Sequence, residues 1–170
     1  MVDGKRKFVV ACGGTGGHSF PGLAVAKELL SRGHEVTVWM SGRSVESSVL
    51  KGWEGAVFAT GAKQLSLRGM FANLRAFFKC RKELKRNPPE ALLAMGSYSS
   101  VAPVLAAAVR GLPVVLHEAN TVPGRAVDFL SYFVIEKGKP QLNDNRGTEH
   151  DKRCYGKLRG AYTFRTDDSV

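Results

Sequence analysis

The sequence predicts an α/β fold, a Rossmann-like parallel sheet with helices on both faces. Short apolar runs alternate with longer segments of helical periodicity, and two of these runs lead directly into glycine-containing turns. Parallel strands of this kind are joined by right-handed helical crossovers, and ligands bind beyond the carboxyl ends of the strands. The residues that follow each predicted strand are therefore the first candidates for a functional site.

Five strands and five helices follow from this alternation. Gly33 and Gly111 stand where helix C-caps are expected, and Pro88 ends the third helix before the fourth strand. The predicted strands are Phe8–Cys12, Val36–Met40, Ala56–Thr60, Ala91–Ala94 and Val114–His117. The predicted helices are Pro21–Arg32, Ser44–Lys51, Met70–Arg86, Ser99–Arg110 and about 124–133.

The turn after the first strand, Gly13–His18, is the most informative segment. Glycines let the backbone approach a ligand closely, and the first N–H groups of the following helix face an anion. Ser19 stands where a dinucleotide fingerprint needs its third glycine, and no Walker lysine follows. The histidine adds a group that can exchange a proton near neutral pH. A tight turn with an incidental histidine is the alternative.

Composition limits the classes that remain. With 170 residues, of which 44% are hydrophobic, the chain is long enough for one domain with a real core. Its three cysteines are scattered, which fits a reducing compartment and predicts neither a metal site nor a bound cofactor. No segment has the ~20 apolar residues of a membrane span, and the first residues do not form a signal peptide.

The net charge of +10 predicts an anionic partner or surface, and much of it lies in one segment. Between Arg68 and Arg86 there are seven basic residues and one acidic residue, together with an apolar stripe at helical spacing. This pattern favours an anionic membrane surface, with a buried stripe and a solvated basic face as the alternative. Nucleic acid is not expected, since no recognised motif for it is present. The residues expected to contact a membrane are Phe71, Leu74, Arg75, Phe78, Lys79 and Lys82.

Three segments, taken in order, resemble the MurG family of bacterial N-acetylglucosaminyltransferases (glycosyltransferase family 28). The family pattern reads G-G-T-G-G-H-x-x-P-G-x-A, then G-G-Y-x-S, then L-H-E-x-N-x-x-x-G. This chain supplies Gly13–His18 with Pro21–Ala24, then Met95–Ser100, then Leu116–Gly124. The resemblance covers about residues 5–133 and implies the N-terminal, acceptor-side half of a GT-B glycosyltransferase.

The resemblance implies a role for individual residues at these loops. His18 is the expected catalytic base, or the residue that orients it; the alternative is that it only hydrogen-bonds the acceptor pyrophosphate or a loop carbonyl. At the position of Ser97 the family usually has glycine, a departure that matters if the backbone there must take a positive φ. For Asn120, a helix N-cap is the alternative to substrate contact. The expected substrate-binding residues are Gly14, Thr15, Gly16, Gly17, Gly96, Ser97, Tyr98 and Asn120.

The implied reaction is inverting transfer of N-acetylglucosamine from UDP-GlcNAc to undecaprenyl-pyrophosphoryl-MurNAc-pentapeptide, at the cytoplasmic face of the bacterial inner membrane. We expect residues 1–133 to form the acceptor-side domain, 134–170 to form a divergent, poorly ordered tail, and the donor domain to be absent. The chain alone should then transfer little or nothing. The alternative functions are a subunit of a split GT-B enzyme and a non-catalytic membrane-binding Rossmann module. For residues 134–170, the alternative to a poorly ordered tail is an ordered extension.

Overall fold

Five parallel strands form one sheet in the computed structural model, which describes residues 4–44, 46–64, 67–117 and 125–131. The sheet order is β3-β2-β1-β4-β5, and each strand end lies within one residue of its predicted position. The predicted α/β, Rossmann-like sheet is therefore confirmed. The strands are β1 (Lys7–Ala11), β2 (Glu35–Met40), β3 (Ala56–Ala59), β4 (Ala91–Ala94) and β5 (Val114–Leu116).

All five predicted helices are present, although α1 begins at Gly16 rather than at the predicted Pro21. The amides of His18 and Ser19 both donate to the Thr15 carbonyl, at 3.1 and 3.0 Å, so the helix is already formed at the glycines. Pro21 lacks an N–H and removes one main-chain bond without ending the helix. The helices are α1 (Gly16–Ser31), α2 (Glu46–Val49), α3 (Leu67–Arg86), α4 (Val101–Val109) and α5 (Arg125–Ser131), and a 3-10 turn at Tyr98–Ser100 precedes α4.

Helices cover both faces of the sheet because neighbouring residues of a strand point to opposite sides. Val10 and Cys12 pack with Leu23 of α1 and Val49 of α2. Val9 and Ala11 of the same strand belong to the other core, with side chains from α3, α4 and α5. The main members of this second core are Trp39, Cys80, Leu84, Leu92, Val104, Leu116 and Leu130.

The register of the sheet places three strand ends side by side. Ala11, the last residue of β1, lies opposite Trp39 of β2 and Ala94 of β4. The segments that follow these strands therefore leave the sheet at the same edge, here called the carboxyl edge. In the described ranges there is no helix with both the length and the apolar character needed to cross a bilayer. Asn120 and the predicted tail at 134–170 lie outside the described residues.

Candidate acceptor site at the carboxyl edge

The turns after β1, β2 and β4 are in direct contact at the carboxyl edge. The Cys12 amide donates to the Trp39 carbonyl at 3.0 Å, and the Met95 amide donates to the Ala11 carbonyl at 2.9 Å. Strand-like pairing thus continues one residue beyond each strand before the chains diverge. The sequence-predicted glycine turns, which follow β1 and β4, are neighbours because these two strands pair directly.

The turn after β1 can be built only from glycine at its first two positions. A Cβ atom on Gly13 would lie 2.4 Å from the Ser41 backbone nitrogen. Gly14 has a φ of 117°, and a Cβ there would lie 2.8 Å from the Ser97 Oγ. These two glycines therefore serve the close packing of three turns against one another.

The turn after β4 holds the first turn through its serine hydroxyls. Ser97 donates from its hydroxyl to the Gly13 carbonyl at 2.6 Å, and the Ser99 hydroxyl donates to the same carbonyl. The Ser97 Oγ also accepts from the Ser99 amide at 3.2 Å and so caps the 3-10 turn. The positive φ, 83°, belongs to Gly96, whereas Ser97 is extended with a φ of −84°. Serine therefore fits this position without backbone strain, and its buried hydroxyl serves the contact between the turns.

His18 lies in the first turn of α1, and its half-buried ring reaches across to the turn after β4. Its Nδ1 is 2.7 Å from the Met95 carbonyl oxygen. Because a carbonyl can only accept a hydrogen bond, Nδ1 carries the hydrogen in this contact. The neutral ring then has its lone pair on Nε2, which is the arrangement of a histidine that accepts a proton from a substrate.

Glu46, the first residue of α2, is the main site-forming residue that the sequence did not reveal. Its side chain is 2% exposed, and its Oε1 accepts from the Gly14 amide at 2.8 Å and from the Ser41 hydroxyl at 2.5 Å. Its Oε2 accepts from the amides of Gly42 at 2.7 Å and Arg43 at 3.1 Å. One carboxylate therefore joins the turn after β1 to the turn after β2.

The surroundings of Glu46 decide the charge of two buried groups. Burial alone would raise the pKa of Glu46, but hydrogen bonds from Ser41 and three backbone amides outweigh this effect. The pKa is therefore lower than its ordinary value, and the carboxylate is ionised at neutral pH. Burial raises the pKa of the Cys12 thiol to about 12, and the negative charge of Glu46 contributes to the same shift. Cys12 is therefore a neutral core residue rather than a nucleophile.

Arg43 and Tyr98 connect the turns on either side of β1. The Arg43 guanidinium donates from Nη1 to the Tyr98 hydroxyl at 3.1 Å. Arg43 is exposed and follows β2, whereas Tyr98 is half-buried and follows β4. This contact joins residues 55 positions apart in the chain, so no local motif could have indicated it.

The exposed face of α3 is a second candidate site, formed by the apolar and basic residues expected to contact a membrane. Phe71 is 74% exposed, Leu74 54% and Phe78 55%, whereas the adjacent Phe77 packs against the core. Arg75 and Lys82 are also exposed. Lys79 is exposed too, but its ammonium lies 4.9 Å from the centre of the Phe58 ring and donates to the Ala59 carbonyl.

The predicted substrate-binding residues gather at the carboxyl edge as far as the structure describes them. The Gly17 position faces open space, since a Cβ added there would contact nothing within 4 Å. Substrate contact by these residues stays a prediction, and Asn120 lies outside the described residues. Nowhere in the described ranges do three metal-ligating side chains come together. The residues at the edge are Gly14, Thr15, Gly16, Gly17, His18, Gly96, Ser97 and Tyr98.

A sequence profile of the glycosyltransferase family 28 N-terminal domain matches residues 8–136. The chain belongs to this family. The match contains all the described strands and helices except Lys7, the first residue of β1, and it includes both glycine turns and His18. The resemblance drawn from the three motifs is thereby confirmed.

Eight curated relatives carry the same enzyme name, UDP-N-acetylglucosamine–N-acetylmuramyl-(pentapeptide) pyrophosphoryl-undecaprenol N-acetylglucosamine transferase. The Vibrio parahaemolyticus protein is 40% identical in an alignment of length 144 that covers 77% of this chain and 39% of that protein. The Protochlamydia amoebophila protein is 29% identical in an alignment of length 143 that covers 78% of this chain and 38% of that protein. The chain thus spans about two fifths of the length of these relatives.

Solved structures confirm the fold, an α/β Rossmann-like domain of the GT-B glycosyltransferase type. Acinetobacter baumannii MurG matches with a TM-score of 0.70 and 24% identity, over 93% of this chain and 45% of that chain. The UDP-GlcNAc 2-epimerase from Neisseria meningitidis, solved with UDP-GlcNAc bound, matches with a TM-score of 0.60 and 18% identity, over 75% and 38%. Its identity is too low to carry more than the fold.

Proposed function

We propose that this chain supplies the acceptor-binding part of an enzyme that transfers N-acetylglucosamine from UDP-GlcNAc to undecaprenyl-pyrophosphoryl-MurNAc-pentapeptide. Membership of glycosyltransferase family 28 and the shared name of the curated relatives support this reaction. The observation that carries the proposal is the hydrogen bond from His18 Nδ1 to the Met95 carbonyl. This bond would hold Nε2, the proposed proton acceptor, at the junction of both glycine turns.

His18 would act as the general base. The acceptor hydroxyl oxygen forms a bond to the anomeric carbon of the donor sugar while the bond from that carbon to the UDP oxygen breaks. The hydroxyl proton passes to Nε2 of His18, and UDP leaves with the bonding electron pair. The Nδ1–H bond to Met95 stabilises the imidazolium that forms, because the ring keeps its donor contact in both protonation states.

The first turn of α1 would face the pyrophosphate of the acceptor. Its glycine amides lie at the positive end of a sixteen-residue helix, and no acidic residue stands in its first turn. Gly17 leaves its side of the turn open, so a ligand can approach the backbone there. This placement would set the charged part of the acceptor next to His18.

Binding of an acceptor analogue tests the proposal directly. The full chain is titrated with a water-soluble lipid I analogue that has a short polyprenyl chain, and binding is followed by calorimetry. We expect saturable binding that His18→Ala weakens, whereas His34→Ala does not, because His34 lies near the amino ends of the strands. The absence of saturable binding to the unaltered chain would contradict an acceptor site.

The exposed face of α3 would hold the domain on an anionic membrane as a peripheral protein. Because α3 follows β3, its N-terminal half begins near the carboxyl edge, on the side where Phe71 and Leu74 are exposed. A bilayer in contact with this face would lie beside the acceptor site. Apolar side chains next to cations suit the interface of an anionic bilayer.

Vesicle binding tests this surface with two variants of equal charge. In one variant, Lys82 and Lys85 of α3 are replaced by Glu. In the other variant, Glu replaces Lys27, on α1, and Lys51, just after α2. Since each lysine near an anionic surface contributes about 1 kcal/mol, the first variant should bind phosphatidylglycerol vesicles about thirtyfold less tightly or worse. An equal loss of vesicle binding in both variants would show that only the net charge matters. It would contradict the exposed face of α3 as the membrane-binding surface.

A further inference from the structure

Arg43 holds a position at the acceptor site that no motif indicated. It lies in the turn between β2 and α2, and its amide is fixed by the Glu46 carboxylate at 3.1 Å. The backbone from which its side chain extends is therefore anchored to the same buried group that holds the Gly14 amide. The side chain itself is exposed at the carboxyl edge.

The guanidinium reaches across the end of β1. Neighbouring strands lie about 4.8 Å apart, so the turns after β2 and β4 are separated by roughly twice that distance. The bond from Arg43 Nη1 to the Tyr98 hydroxyl closes this gap and spans the carboxyl end of the strand that leads into the glycine turn. An arginine is long enough for this span and keeps further N–H donors free.

The positive charge of Arg43 has no acidic partner among the described residues. None of the ion pairs in those ranges includes it. The carboxylate of Glu46 is occupied by backbone amides and the Ser41 hydroxyl. The first turn of α1 and the 3-10 turn contain no acidic residue. An anion bound at this edge would therefore meet a cation with which no acidic residue of the described ranges pairs.

We propose that Arg43 is a binding residue for the diphosphate group of the ligand at this site, oriented by the Tyr98 hydroxyl. The inference rests on the proposed function and adds to it one specific cationic side chain that contacts the ligand. The planar guanidinium donates two parallel hydrogen bonds to phosphate oxygens, whereas the α1 backbone contacts the other side of the group. Tyr98 acts as a positioning residue because it holds the guanidinium over the glycine turn.

Calorimetric titrations with two diphosphate probes test this assignment. Farnesyl diphosphate represents a lipid-linked diphosphate and UDP a nucleotide diphosphate, so the two arms distinguish the sources. Loss of a charge-assisted contact should weaken binding about tenfold to a hundredfold in Arg43→Gln, and less in Arg43→Lys, which keeps the charge but loses the planar fork. Tyr98→Phe should cost several-fold, because the guanidinium loses the partner that orients it.

Arg110→Gln is the matched control, because it makes the same charge change at the C-cap of α4, near the opposite edge of the sheet. It should leave both affinities unchanged, and thermal unfolding should show that every variant is folded. A loss in Arg43→Gln for at least one probe supports the assignment and identifies the source. Unchanged affinity for both probes would overturn it while leaving the acceptor site intact. If the unaltered chain binds neither probe, the proposed function falls, and this inference with it.

Discussion

The carboxyl edge and the exposed face of α3 are built on opposite principles. At the edge, glycines, serine hydroxyls and one buried carboxylate are packed closely, and their polar groups are largely occupied by one another. On α3, large apolar side chains and cations extend into solvent. The edge can therefore act through fixed geometry, whereas the α3 face can act through apolar area and charge. Substitutions in the two regions should differ in kind.

Substitution of Gly13 should lower the stability of the fold more than any other change considered below. A Gly13→Ala substitution places a methyl group 2.4 Å from the Ser41 backbone nitrogen, which no side-chain movement can relieve. We expect the free energy of unfolding, measured by urea denaturation, to fall by roughly 3 kcal/mol or more.

The control lies in the same motif. Gly17→Ala should leave stability unchanged or raise it by up to about 1 kcal/mol, because the added Cβ contacts nothing within 4 Å and alanine favours a helix. If both substitutions were equally tolerated, the close packing of the three turns would be refuted.

Glu46→Gln should have the next largest effect. The amide keeps the shape of the side chain, but its NH₂ group meets backbone donors. We therefore expect the free energy of unfolding to fall by about 2 kcal/mol near neutral pH. Folding lowers the pKa of Glu46, so its carboxylate contributes fully to stability above pH 4.5, the ordinary pKa of a glutamate. This contribution is lost as the pH falls below that value and through the lowered pKa of the folded chain.

The comparison of unfolding free energies at about pH 7 and about pH 3 checks this. The gap between the unaltered chain and Glu46→Gln should narrow in acid, whereas the exposed Glu54→Gln should differ by less than about 0.5 kcal/mol at both values. A gap independent of pH would show that the charge of Glu46 does not stabilise the edge.

Phe71 and Phe77 lie in the same helix but in different surroundings. Phe77 packs against the core, so Phe77→Ala should lower stability by about 2 kcal/mol, whereas Phe71→Ala should change it by less than about 0.5 kcal/mol. Binding to anionic vesicles should show the reverse order, with the greater loss in Phe71→Ala. A stability loss of the same size in both variants would mean that Phe71 is not free to meet a membrane.

The strands could be predicted from the sequence because each is an apolar run that a polar or glycine-rich turn ends. The start of α1 was misplaced by five residues, since glycine is a poor helix former and the proline looked like a first helical residue. Gly13–His18 and Gly96–Tyr98 were found because they are contiguous.

Glu46 and Arg43 could not be found in the same way. Their roles depend on partners that the strand order brings together, such as Gly14 for Glu46 and Tyr98 for Arg43. An acidic residue at the start of a short helix has an ordinary explanation in the helix dipole, which concealed its part in joining the turns. Sequence patterns reveal local signals, whereas these contacts are properties of the folded sheet.

An anion-binding site formed by the glycine turns can be tested by mapping a bound diphosphate onto the backbone. The ¹⁵N-labelled chain is titrated with farnesyl diphosphate, and amide chemical shifts are followed by NMR. We expect the amides of Gly14–His18 and Gly96–Tyr98 to shift along one binding curve. Gly33 and Gly111, which follow helices that run away from the carboxyl edge, should not shift. Shifts confined to residues away from the carboxyl edge would show that the glycine turns do not form an anion-binding acceptor site.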